Sequence, residues 1–152
     1  MSQDSNYIHK SHNVSVLLYH IVCSAKYRRA VFTSEVDKVL LKTCEEIELR
    51  YEVKFLEIGT DKDHVHFLIQ SVPSYSATKI VRMIKSLIAR EVFHHCPEVK
   101  KQLWGGEFWG KGYFVNTVGQ HGTEKKIAEY VRDQGMDKAY KKLKSSYQLK
   151  LF

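Results

Sequence analysis

Residues 52–71 read EVKFLEIGTDKDHVHFLIQS, and their pattern decides the fold. Residues 52–58 alternate like a strand. Residues 59–63 (GTDKD) carry turn chemistry, and 64–71 (HVHFLIQS) form the returning strand of a hairpin. Side chains two apart on a strand share a face. His64 and His66 therefore project together, while Val65, Phe67 and Ile69 point the other way. The apolar set calls for a covering layer of helices. The two imidazoles call for a face left open.

The flanking chain supplies that layer. Residues 14–22 (VSVLLYHIV) are β-branched and aromatic, which predicts a buried strand, and 26–32 (KYRRAVF) make a basic loop. A helix is expected from about Ser34 to Arg50, with Val36, Val39, Leu40 and Ile47 at helical spacing and Thr33 or Ser34 as its cap. Pro73 stops the hairpin strand. Ala77, Ile80, Val81, Ile84, Leu87, Ile88 and Val92 then form the apolar stripe of a second helix, up to Pro97. Residues 98–112 read as irregular, 113–118 (YFVNTV) as a short strand, and about Thr123 to Leu143 as a last helix before a basic tail. Strand, helix, strand, strand, helix, strand is the α+β, ferredoxin-like βαββαβ plan, with the helices on one face. The plan is followed by an extra C-terminal helix.

A chain of 152 residues suits one domain with a real core. No repeat, low-complexity tract or linker divides it. The formal net charge of +7 favours an anionic partner such as nucleic acid. No apolar run approaches the roughly 20 residues of a membrane helix. Residues 1–12 show no apolar segment of the kind a secretory signal carries. Cys23, Cys44 and Cys96 have no CxxC spacing, so neither a zinc framework nor a disulfide framework is read from them. That usage fits a reducing cytoplasm.

Two neutral imidazoles on one strand face can hold a divalent metal, but two ligands rarely suffice. Taken alone, the His64/His66 pair reads as two strand histidines with no ligand. Tyr130 and Gln134 stand four residues apart on the last helix and so share a face. By themselves they read as an amphipathic edge residue and a solvated amide. Combined with the histidines they fit a chemistry: the Gln134 carbonyl oxygen is a third metal ligand, and Tyr130 is a nucleophile one turn away. A tyrosine has a pKa of about 10 and is a weak nucleophile at neutral pH. A metal on the scissile phosphate neutralises charge and orients in-line attack. The phosphotyrosine so formed conserves the energy of the broken phosphodiester, and rejoining needs no ATP.

Lys26, Tyr27, Arg28 and Arg29 form a compact basic loop suited to phosphate contact, with Tyr27 able to stack on a base. Lys79, Arg82 and Lys85 lie outside the apolar stripe of their helix, and read either as its wet face or as further DNA contacts. Trp104, Phe108, Trp109, Tyr113 and Phe114 lie among glycines and fit base stacking, core packing or a dimer seam. The adjacent His94, His95 and Cys96 have a spacing that chelates poorly. His9, His12, His20 and His121 show no partner in the sequence.

In KYRRAVF (26–32), DKDHVHFLIQ (61–70), KIVRMIKS (79–86), LWGGEFWGKGYFVNTVG (103–119) and the helix of Tyr130 and Gln134, the chain resembles the single-tyrosine HUH transposases (TnpA) of insertion sequences that move as single-stranded DNA. The resemblance spans nearly the whole chain in order. It implies that His64, His66 and Gln134 ligate Mg or Mn, and that Tyr130 becomes joined to a DNA 5′ phosphate and frees a 3′ hydroxyl. It implies recognition of hairpins near the element ends, and a homodimer whose subunits share active sites. It also divides the single domain, 1–152, into a ferredoxin-like core (13–122) and a catalytic helix with basic tail (123–152). A replication initiator or relaxase shares the same metal and tyrosine logic but usually carries further domains. A ferredoxin-like module that only binds RNA or DNA would place aromatics on its central strands. Here His64, His66 and Gln70 stand there instead.

Overall fold

The computed structural model describes residues 8–10, 13–15, 17–118 and 140–145. Two short strands, β1 (Ile8–Lys10) and β2 (Asn13–Ser15), pair antiparallel with each other. The main sheet has five strands: β3 (Leu17–Ala25), β4 (Lys54–Thr60), β5 (His64–Ser71), β6 (Trp109–Val118) and β7 (Lys141–Ser145). Their order is β6-β3-β5-β4-β7, and every neighbouring pair is antiparallel. β3 and β4 flank β5, so the first helix crosses over one strand in the manner of a split βαβ unit.

Helix α1 (Ser34–Arg50) starts where the Thr33 side chain accepts a hydrogen bond from the Val36 amide at 3.3 Å. In α2 (Ala77–His95) the Ser76 hydroxyl accepts from the Lys79 amide at 3.0 Å. Both are N-caps that satisfy a donor the helix itself cannot. Both helices press their apolar stripes on one face of the sheet. Leu40 and Ile47 from α1, and Ile80, Ile84 and Ile88 from α2, are fully buried against Ile21, Phe55, Ile58, Phe67 and Ile69. Each such side chain contributes about 1.5–3 kcal/mol through burial. This is the covering layer that Val65, Phe67 and Ile69 called for. On the opposite face Leu18 and Leu68, with Leu56 and Val118, make a small second cluster. That cluster closes one end of the open face and leaves the His64 end polar.

Two expectations need correction. Residues 98–112 are largely ordered into elements: α3 (Pro97–Gln102) begins with a proline in its first turn, and β6 begins at Trp109 rather than at residue 113. Residues 141–143 are strand rather than the end of the helix expected from about Thr123, whose residues 123–139 lie outside the described ones, and the basic stretch at 141–145 is not a plain tail. Lys141–Ser145 is the strand β7, paired with the edge of β4 in the register Glu57↔Ser145, Ile58↔Lys144, Gly59↔Lys142 and Thr60↔Lys141. Lys141 and Lys144 reach over that edge to Asp37 and Glu48 of α1, the latter at 2.7 Å. Backbone pairing with an open edge and two ion pairs override the local helical preference of a Lys- and Leu-rich segment. No helix among the described residues is long and apolar enough to cross a membrane.

Candidate active site

His64 and His66 lie on the open face of β5 with ring centroids 4.8 Å apart, both half-buried. The turn before them does more than reverse the chain. Asp63 sits with one carboxylate oxygen 2.7 Å from His64 Nδ1 and the other 2.9 Å from Arg28 Nε. An ionised carboxylate only accepts, so His64 Nδ1 carries the hydrogen of this bond and its Nε2 lies on the far side of the ring. Burial opposes ionisation of Asp63, but hydrogen bonds from His64 and Arg28 outweigh it and hold the carboxyl below its ordinary range. Arg28 also reaches Ser24 Oγ at 3.2 Å. Its aim depends on an unusual backbone: Tyr27 (φ 59°) and Arg28 (φ 53°) are both in the left-handed region. Non-glycine residues rarely adopt it, at about 1–3 kcal/mol each. The loop is pinned on both sides, by Ala25 N to Asp63 O at 2.8 Å and by Lys26 N to Phe108 O at 2.9 Å.

His66 is gripped from two sides. The His20 ring on β3 lies edge to edge with it, with centroids 5.4 Å apart and planes 12° from parallel, and His20 Nε2 lies 3.2 Å from His66 Nδ1. Tyr140 meets its other side edge-on, with centroids 5.6 Å apart. Gly59 makes room for that ring, because a Cβ there would fall inside the Tyr140 side chain. Phe114 of β6 packs edge-on against His20 at 5.8 Å. Burial pulls the pKa of His66 down to about 4, helped by the neighbouring His64 and His20. Burial likewise brings His20 to about 4. Both rings are therefore neutral at pH 7, the form in which an imidazole offers a lone pair. Beside them Glu57 is only 2% exposed. Burial pushes its carboxyl up to about 7 against the pull of Lys142, 3.6 Å away. The Tyr140 hydroxyl is pushed well above its usual range by burial and by Glu57.

With both Nδ1 atoms engaged, the Nε2 atoms of His64 and His66 remain as donors on one face. An Asp61 carboxylate oxygen lies 3.9 Å from His64 Nε2. Imidazole nitrogens suit first-row transition ions and a carboxylate suits Mg, Ca or Mn, so a set holding both fits a divalent ion. Hydrogen-bond partners on the outer ring nitrogens are the usual support of metal-binding histidines.

The other expected residues divide clearly. Arg28 joins the site through Asp63. Lys26 instead pairs with Glu107 at 2.9 Å, Tyr27 is 61% exposed, and Arg29 is exposed. Lys79, Arg82 and Lys85 lie on α2, across the sheet from the histidines. There the Lys79 ammonium sits 4.7 Å from the Tyr75 ring centre. Lys85 donates to the Gly110 carbonyl at 2.9 Å, and Trp109 Nε1 donates back to the Lys85 carbonyl at 2.8 Å, which ties α2 to β6. Tyr130 and Gln134 lie outside the described residues. Of the aromatic cluster, Phe108 and Trp109 are core, while Trp104, Tyr113 and Phe114 are exposed. Asp61, Asp63, His20, Glu57 and Tyr140 were not singled out from the sequence. The aspartates had a local signal, being acidic residues within three positions of a strand histidine. His20 had a weaker one, its place on alternate positions of β3.

Comparison with known proteins places this geometry. A family model described as "Transposase IS200 like" matches residues 13–134, a span that includes His64, His66, Tyr130 and Gln134. The ISDra2 transposase TnpA of Deinococcus radiodurans is 30% identical over 118 residues, covering 78% of this chain and 84% of the relative. The transposase of insertion sequence IS200 from Salmonella typhimurium is 32% identical over 120 residues, covering 76% and 75%. A crystal structure of a Deinococcus radiodurans chain assigned as a transposase superposes with a TM-score of 0.67 at 29% identity, over 84% of this chain and 97% of that one. A REP-associated tyrosine transposase bound to a REP hairpin shares the fold with a TM-score of 0.55 at 9% identity, over 86% and 76%.

Proposed function

The chain belongs to the IS200-like transposase family, and from that premise we propose that it cleaves and rejoins single-stranded DNA at insertion-sequence ends through a 5′-phosphotyrosine on Tyr130. The observation that carries this reading is the pair of imidazoles on the open face, each with Nδ1 engaged by a neighbouring side chain and Nε2 turned to the other side of its ring. His64, His66 and Gln134 hold a divalent Mg or Mn ion, with the Asp61 carboxylate beside His64. When bound, the ion draws charge from the scissile phosphate. The Tyr130 oxygen attacks phosphorus, the phosphorus–O3′ bond breaks, and the strand leaves with a free 3′ hydroxyl. Attack by a 3′ hydroxyl on the phosphotyrosine reverses these bonds, so joining consumes no nucleotide. Arg28, held at Asp63, and the exposed Tyr27 and Arg29 line the approach of the strand to the site.

The single unit 1–152 then comprises the ferredoxin-like core, 13–122, and a helix carrying the nucleophile in 123–152, closed by β7. The DNA partner is a hairpin at the element ends, as the REP-associated neighbour holds a REP hairpin on the same fold. Such chemistry takes place in the cytoplasm, beside the host DNA. The protein acts as a homodimer with active sites shared between subunits. β6 has no strand beyond it among the described residues, and it exposes Tyr113 and Phe114, a seam suited to a second copy.

One assay tests these points together. Labelled single-stranded DNA from the element ends is mixed with the protein and Mg, and SDS-stable adducts are resolved. The adduct is expected for the unaltered protein, and not with EDTA or with Tyr130→Phe. An adduct formed by Tyr130→Phe removes Tyr130 as the nucleophile. Tyr130→Phe mixed with His66→Ala regains cleavage only if the two subunits share a site.

A further inference from the structure

His20 is not among the expected ligands, yet its Nε2 lies within hydrogen-bond reach of His66 Nδ1, at 3.2 Å. Val22 faces His66 across β3 and β5, and His20 faces Leu68, which puts His20 on the diagonal of the same face. Its ring is fixed on three counts: the strand register, the nearly coplanar contact with His66, and the edge of Phe114. At 3.2 Å, His20 Nε2 and His66 Nδ1 are within hydrogen-bond reach, so one nitrogen carries a hydrogen and the other accepts it. The two nitrogens of an imidazole point away from each other. His20, bound at the Nδ1 side of His66, therefore cannot share an ion held at the Nε2 side.

We propose that His20 is a positioning residue for the cation site: its Nε2 accepts the hydrogen of His66 Nδ1, which fixes His66 as the Nδ1–H tautomer and turns its Nε2 lone pair to the ion. This rests on the reading of His64 and His66 as metal ligands. His20 then does for His66 what the Asp63 carboxylate does for His64, with a neutral acceptor in place of a charged one. The two partners differ in origin. Asp63 is adjacent to its histidine in the chain, whereas His20 is 46 residues away and arrives only through pairing of β3 with β5.

The test measures Mn binding by the full chain, from the electron paramagnetic resonance signal of the free ion, without DNA. His20→Phe keeps a flat ring beside His66 and removes the acceptor. It is expected to retain the thermal melt of the unaltered protein and to bind Mn about 10- to 100-fold more weakly, the usual cost of losing an outer partner of a metal histidine. His20→Gln, whose amide oxygen can accept the same hydrogen, is expected to recover most of that loss. His20→Phe binding Mn within twofold of the unaltered protein overturns the proposal while leaving the metal site standing. His66→Ala binding Mn as tightly as the unaltered protein overturns the metal site itself. A long-range ¹H–¹⁵N correlation spectrum of the unaltered protein gives an answer that needs no variant. The Nδ1–H form of His66 is expected, and the Nε2–H form refutes the proposal.

Discussion

Glu57→Gln isolates the electrostatics of the open face. Glu57 is nearly inaccessible, and its carboxyl is pushed up from 4.5 to about 7, chiefly by burial. In the unfolded chain it releases its proton near its ordinary value. Between about pH 4.5 and 7 the folded protein therefore holds a proton that the unfolded chain has lost. Stability falls as pH rises through that window and stays lower above it. The full difference is about 3 kcal/mol at pH 8. Lys142 at 3.6 Å already offsets part of the burial, and relaxation around the charge lowers the realised cost to about 1–3 kcal/mol. Glutamine has nearly the same shape and no charge to bury. Glu57→Gln is expected to stabilise the protein by about 1–3 kcal/mol at pH 8, and by less than about 1 kcal/mol at pH 5, where the folded state already holds the proton. Urea melts followed by far-ultraviolet circular dichroism at the two pH values read both numbers. An equal gap at pH 5 and pH 8 refutes the titration. A loss of stability at pH 8 shows instead that the ion pair with Lys142 outweighs the burial of the charge.

Two further perturbations probe the support of the histidines. Asp63→Ala removes the acceptor of His64 Nδ1 and the partner of Arg28. It should weaken Mn binding about 10- to 100-fold by isothermal titration calorimetry, and unchanged affinity would show that His64 needs no orienting partner. Gly59→Ala puts a methyl group where the Tyr140 ring lies and should cost about 1–3 kcal/mol in a urea melt. Combined with Tyr140→Ala it should cost less than the sum of the two single changes, and strict additivity would deny the contact.

The helices were legible because their signals are local. The cap at Thr33 and the apolar stripe of α2 each lie within a single segment, and the structure follows them closely. The split βαβ order was also legible, since two helices and a hairpin in that sequence leave few ways to cover one sheet face. The fifth strand was not. Lys141–Ser145 is rich in Lys and Leu, and its state depends on an open edge of β4 and on Asp37 and Glu48, about a hundred residues earlier.

At the site the same division holds. Sequence alone determined that His64 and His66 share a face opposite Val65, Phe67 and Ile69, because alternation along a strand is a property of one backbone. It also carried the family, through motifs spread over most of the chain. Tertiary structure alone decided which groups hold those histidines: His20 across β3, Tyr140 over Gly59, and Arg28 on Asp63 through a left-handed turn. It also decided that Lys79, Arg82 and Lys85 stand across the sheet from the histidines. The physical reason is register. A pair of side chains meets across strands only once order, alignment and twist are set together, and no single segment encodes them.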